Sequence, residues 1–240
     1  MEIPADKVFK VLDHGYVKLL NISGPVRRND RWFDADDRDP AIAARMSFDN
    51  SGQERPVDLD WKLSEYLMKN RHTSPFEMIA VWLEMKLPIF VARQFVRHRT
   101  VSINEVSARY VQLPAEWYIP EVVGGKPANA KQGQSDTLRP DDQLWFKNVL
   151  NDMCVDSYYA YEKAIKVGVA PEHARMLLHM NHYTKWLWKQ DLHNLMHFLM
   201  LRDHSHAQIE ARLYAQAIKA AVREVLPVTM DLFDRYIAQE

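Results

Sequence analysis

The chain has 240 residues, 47% hydrophobic and 26% charged, with a formal net charge of −1. A pI near 6.8 excludes a general nucleic-acid surface, which is usually strongly basic. No run of about 18 apolar residues exists to cross a membrane, and the start, Met1 to Asp6, lacks the basic and apolar pattern of a signal peptide, so a cytoplasmic globular protein is expected.

In chain order, Val17 to Ile22 reads as a strand closed by Ser23-Gly24-Pro25. Arg27 to Pro40 mixes Arg and Asp and reads as a solvated segment. Asp60 to Lys69 places Leu63, Tyr66 and Leu67 at helical spacing. From Ile79 the odd positions through Leu87 are all apolar, the period of a strand. Pro88 then opens a short helix through Arg97, on which Gln94, Arg97 and His98 share one broad face.

Glu121 to Asp136 holds Gly124, Gly125 and Gly133 and reads as a long loop of the kind that often covers a ligand. After Pro140, Phe146, Leu150, Met153, Ala160, Ala164 and Val167 form one stripe of a long helix stopped by Gly168. Pro171 opens a shorter helix carrying Arg175. His179 to Trp188 reads as a strand and Leu192 to Leu201 as a helix. A last long helix carries Ala207, Ala211, Tyr214, Ile218, Ala221 and Val222, with Pro227 at its end. Helices, a few strands and no regular βαβ alternation predict an α+β fold, read as a single domain over residues 1–240.

The chemistry concentrates between Arg93 and Arg109. Four arginines face one acid, Glu105, a local excess of three positive charges in a chain of net charge −1. The guanidinium fork matches phosphate oxygens, and Ser102, Asn104 and Ser107 add short neutral groups, so the segment points to a phosphorylated small molecule. A charge run of this kind is also compatible with a solvated basic face. Cys154 sits beside Met153 and Val155 with Asp156 close by. Nothing there favours a thiolate, so it reads as packing rather than as a nucleophile. As the only cysteine it also excludes an internal disulfide. His193/His197 and His206/Glu210 are spaced to share helix faces, but neither Glu-x-x-His nor His-Glu-x-x-His occurs. No metal is expected.

Arg97-His98-Arg99, seven residues, then Ser107 resembles the signature of the flavin-dependent thymidylate synthases. Three further blocks in register carry the same resemblance: His72 to Glu77 (His-x-Ser/Thr-Pro-Phe-Glu), Glu172 to Arg175, and Leu201 to Glu210. The resemblance implies a central, mostly antiparallel sheet flanked by helices, with long C-terminal helices, assembled as a homotetramer. It implies reductive methylation of dUMP to dTMP, with methylenetetrahydrofolate as carbon donor, FAD as redox cofactor and NADPH as reductant. It places Gln94, Arg97, Glu105, Ser107, Ala108, Arg109, Arg175 and Arg202 around dUMP, with Arg202 as the catalytic group favouring ionisation of the uracil ring. It places Ser74, Arg97, His98, Arg99, Glu105, Asp191, His193 and His197 against FAD, and His72 near flavin and folate. Where some family members carry Asn and Arg near the flavin, this chain has Asp191 and His193. The expected partners are dUMP, folate, NADPH and further copies of the chain, with no nucleic acid and no membrane. The competing readings are a non-catalytic nucleotide- or flavin-binding protein on the same scaffold, and a metal-dependent helical hydrolase using the histidine pairs.

Overall fold

The structure, a computed structural model, describes residues 7–25, 35–49, 55–127, 134 and 137–238. Its centre is a five-stranded sheet. Strands β1 (Val8–Val11) and β2 (Gly15–Ser23) form a hairpin, followed by β3 (Ala80–Pro88), β4 (Ser102–Glu105) and β5 (Tyr183–Asp191). The spatial order is β1-β2-β3-β5-β4, and every pairing is antiparallel. β3 and β5 pair along their whole length, from Ala80 opposite Asp191 to Pro88 opposite Tyr183.

The helices are α1 (Asp39–Arg45), α2 (Val57–Lys69), α3 (Ser74–Glu77), α4 (Ile89–Phe95), α5 (Pro140–Lys166), α6 (Pro171–Ala174), α7 (Leu192–Arg202), α8 (Ile209–Arg223) and α9 (Pro227–Tyr236). Alternation along β3 buries Val81, Leu83, Met85 and Leu87, and along β5 it buries Trp186 and Trp188. That face meets Leu195, Phe198 and Leu199 of α7, Tyr214 and Ile218 of α8, and Phe233 of α9. The opposite face shows Trp82, Glu84, Lys185, Leu187 and Lys189, with the Lys189 ammonium 5.3 Å from the Trp82 ring centre.

The strand expected over residues 17–22 and the one from residue 79 are β2 and β3, and the helix over 60–69 is α2. Six expectations need correction. Asp39 and Pro40 are not solvated: they start α1 and are buried, while residues 26–34 of that segment lie outside the described residues. The helix after Pro88 stops at Phe95, so Arg97, His98 and Arg99 occupy the turn that follows. The strand expected from His179 starts at Tyr183. Ala207 precedes α8 rather than lying on it, and Pro227 ends nothing: it is the first residue of α9, a position that suits its fixed φ and missing N–H. The last long helix expected from the sequence is α8, and the long helix expected after Pro140 is α5. Its predicted apolar stripe is not core, because only Cys154 and Tyr161 of α5 are buried. The loop expected over 121–136 is described for 121–127 and 134, pinned by a bridge between Gly124 and Thr137, and the rest lies outside the described residues.

Candidate active site

The Arg-His-Arg turn is held where α4 meets α7. The Arg202 guanidinium donates from Nε to His98 Nε2 at 3.0 Å and from Nη2 to the Gln94 carbonyl at 3.1 Å. The His98 ring stands edge-on to Phe198, centroids 4.8 Å apart. Burial pushes the His98 pKa down to about 4, and the charges of Arg202 and His197 push the same way. Burial also lowers Arg202. The Gln94 side chain donates to Gln208 Oε1 at the start of α8. Arg97 and Arg99 face solvent and have no ion pair among the described residues. Three of the residues assigned by resemblance to dUMP or FAD, Gln94, His98 and Arg202, are therefore in direct contact.

A second group lines a cleft of about 300 Å³ at the end of β4. Glu105, Ser107, Ala108 and Arg175 stand around it, with Ile89, Val106, Leu113 and Leu178 as apolar wall. Glu105 accepts a hydrogen bond from the Thr184 hydroxyl at 2.5 Å, and Thr184 is buried. Ser107 Oγ accepts from the Arg109 backbone N–H at 3.3 Å, so it caps a turn. Arg109 lies beside the cleft, paired to Glu172 at 3.2 Å, both half-exposed. Gln94, Arg97 and Arg202 do not line this cleft. A carboxylate, a guanidinium, a hydroxyl and apolar walls in one cleft are the groups needed to hold a nucleotide's phosphate, sugar and base.

The third group joins α2, α3 and α7. His72, His193 and His197 line a cavity of about 160 Å³ floored by Met68, Phe76 and Met196. His72 and Ser74 also line an adjoining apolar cavity of about 700 Å³ with Tyr66, Leu67 and Phe48. Behind it, Arg38 and Arg45 of the α1 region both bind the fully buried Asp60 of α2, which sets that wall. Asp191 is the N-cap of α7, its carboxylate accepting from the Asn194 N–H at 2.9 Å and amide at 2.8 Å. This places Asp191 in a structural bond and away from the cavity walls.

Sequence reasoning missed Thr184 and Gln208. Thr184 gave no signal, because a strand threonine looks like any other β-former. Gln208 lay inside the block Leu201 to Glu210 but carries no charge to mark it.

Comparison with known proteins identifies the family. The sequence profile of the family described as thymidylate synthase complementing protein matches residues 31–228. The chain is 42% identical over 229 residues to a flavin-dependent thymidylate synthase of Thermus thermophilus, covering 95% of this chain and 79% of that one. It is 40% identical over 232 residues to that of Ehrlichia ruminantium strain Gardel, covering 96% and 74%. Among solved structures, the UMP/dUMP methylase PolB from Streptomyces cacaoi bound with 5-Br dUMP superposes with a TM-score of 0.80 at 28% identity, over 95% of this chain and 98% of that one. A profile match over most of the chain, relatives at this identity and the same fold leave one assignment: the chain belongs to the flavin-dependent thymidylate synthase family.

Proposed function

We infer that this protein methylates dUMP reductively to dTMP, using methylenetetrahydrofolate as carbon donor, FAD as redox cofactor and NADPH as reductant. The observation that carries the reading is the cleft where Glu105, Ser107, Ala108 and Arg175 converge within a chain of this family. Arg175 and the neighbouring Arg109 supply cations for the nucleotide phosphate, and the apolar wall takes the base. Arg202 stabilises negative charge on the uracil ring, because a fixed cation in a half-buried site loses little to solvent.

The residues present fit FAD. Arg97 and Arg99 offer two exposed guanidiniums for a pyrophosphate. His98 adds one N–H donor, since its Nε2 already accepts from Arg202. Ser74, His72, His193 and His197 border apolar cavities suited to aromatic rings. When bound, FAD supplies the hydride chemistry, and the protein holds the groups in place. Asp191 contributes through the start of α7.

The chain is read as one domain, supported by a single core cluster shared by the sheet and α2, α7, α8 and α9. It is read as a cytoplasmic enzyme. Among the described residues no helix is long and apolar enough to cross a membrane. A homotetramer is supported by α5, where Trp145 and Tyr159 are each 66% exposed and Met153 is 53% exposed. It is supported too by the division of the dUMP residues between the cleft and the Arg202 cluster.

The test is thymidylate formation from dUMP, methylenetetrahydrofolate, NADPH and FAD, with the visible spectrum of the purified protein. Turnover by a yellow protein holding stoichiometric FAD is expected. A colourless protein that FAD cannot reconstitute, with no turnover, would point to the non-catalytic alternative.

A further inference from the structure

Arg202 is the last residue of α7, and its guanidinium is held by two neutral acceptors. One is the Gln94 carbonyl, among the carbonyls left without intrahelical partners at the end of α4. The other is His98 Nε2. The Arg202 Nε–H can only donate, so His98 Nε2 must carry its lone pair and the ring proton must sit on Nδ1. The ring's orientation is fixed from α7 itself, because Phe198, one helical turn before Arg202 and fully buried, packs against it at 4.8 Å. The low pKa of His98, caused by burial and by the Arg202 and His197 charges, keeps the ring an acceptor at neutral pH.

The choice of acceptor matters. A carboxylate would orient the guanidinium but cancel its charge. Imidazole and carbonyl orient it and leave the cation whole. The nearest acid in sequence, Asp203, is drawn away to Lys219 at 3.5 Å and to Gln216 at 2.9 Å. Among the described residues Arg202 has no carboxylate partner.

We propose that His98 is the positioning residue for Arg202: its Nε2 fixes the guanidinium plane without neutralising it, so that the remaining edge presents a full positive charge to the pyrimidine. This rests on the reading that Arg202 acts on the uracil ring. It gives the central residue of the Arg-His-Arg turn a task on the nucleotide side, while its Nδ1–H stays available to the cofactor.

Three substitutions separate geometry from charge. His98→Gln keeps a neutral acceptor at similar reach, His98→Ala removes it, and His98→Glu keeps an acceptor but adds the cancelling charge. Each variant is checked for its melting curve and FAD content. The Arg202 Nε–H signal is followed in ¹⁵N–¹H spectra, assigned by its loss in Arg202→Lys, and turnover is measured with all substrates saturating. The protected Nε–H signal is expected in the wild type, His98→Gln and His98→Glu, and lost in His98→Ala. Turnover should fall about a hundredfold in His98→Ala, the scale of a misplaced catalytic group, fall similarly in His98→Glu, and recover at least tenfold over Ala in His98→Gln. An unchanged Nε–H signal in His98→Ala overturns the proposal. So does His98→Gln no faster than Ala, or His98→Glu as fast as Gln, in proteins loaded with FAD. Wild-type turnover by Arg202→Ala sinks the assignment of Arg202 itself, whatever the spectra show, and the proposal with it.

Discussion

At the scale of single residues, the site depends on which polar groups are already engaged. Cys154 is buried, its thiol pushed up by burial, and it exchanges weak hydrogen bonds with Asn181 at 3.3–3.5 Å. A thiol in that state is a poor nucleophile. Cys154→Ala should therefore retain turnover within about threefold, since removing these weak, neutral bonds costs on the order of 1 kcal/mol of stability and touches no reacting group. Steady-state kinetics check this, and complete loss in a folded, flavin-loaded protein would mean a thiol takes part. Arg97 is the opposite case, an exposed cation with no acid to hold it among the described residues. Arg97→Ala should weaken FAD binding by about 1.5–3 kcal/mol, the scale of one charge-assisted hydrogen bond; an equilibrium titration of flavin fluorescence measures it.

His182 sets a pH limit. It is buried, stacked on Tyr158 with centroids 6.0 Å apart, and its Nε2 has no partner among the described residues. Burial lowers its pKa to about 4, with Glu116 and the Pro114 carbonyl opposing. The unfolded chain takes up this proton near pH 6.5 and the folded chain only near 4, so stability falls as pH drops through that window. Denaturant melts between pH 7 and 4 should show this slope, and His182→Leu should reduce it, leaving the part that His98, also lowered to about 4, contributes. A slope identical in the variant would assign the loss to other groups.

At the scale of elements, two short distances place the site. α4 is only seven residues long, so its end drops the Arg-His-Arg turn against α7 instead of carrying it onward as a helix face. β4 pairs with β5 from Ser102 to Glu105, which ends the strand at the rim of the cleft. The hairpin is locked to α8 at Gly15, where an added Cβ would come 1.9 Å from the Tyr214 hydroxyl and 2.6 Å from the Val11 carbonyl. The Tyr214 hydroxyl already donates to the Lys86 carbonyl at 2.6 Å, so it cannot swing away without orphaning that group. Gly15→Ala should cost about 1–3 kcal/mol or more, as overpacking does. Gly168 makes the contrast: among the described residues nothing lies within 4 Å of its Cβ position, and only its φ of +88° resists a side chain. Gly168→Ala should cost about 1 kcal/mol from backbone strain alone, and urea melts of the two variants side by side test the ordering.

At the scale of the whole molecule, the candidate dUMP residues fall into two groups within one chain. Glu105, Ser107, Ala108 and Arg175 share the cleft, while Gln94 and Arg202 are tied to each other beside His98. A symmetric assembly can bring the cleft of one subunit to the Arg202 cluster of another, and then repeats the shared site at each equivalent interface. Arg109→Ala and Arg202→Ala should each abolish turnover alone. Mixed under conditions shown to exchange subunits, they should regain part of it, because some interfaces then hold both arginines intact. No recovery, with exchange verified, would place both arginines in one chain's site.

Much of this protein was legible in its sequence because the signals are local. Alternation named β3, since side chains two apart must share a face of a strand. The run of arginines pointed to an anion site, and the four blocks in register named the family. Helix α9 was missed because proline both ends and begins helices, and only the backbone on either side of Pro227 decides which. The tie between His98 and Arg202 joins residues 104 apart in sequence, and Thr184 reaches Glu105 across 79. No periodicity encodes such contacts; they exist because β3, α4, β5 and α7 pack on one core. The apolar stripe of α5 shows the limit most plainly. Composition dictated that those residues avoid water, but only the folded chain showed that none of them is buried by the rest of it.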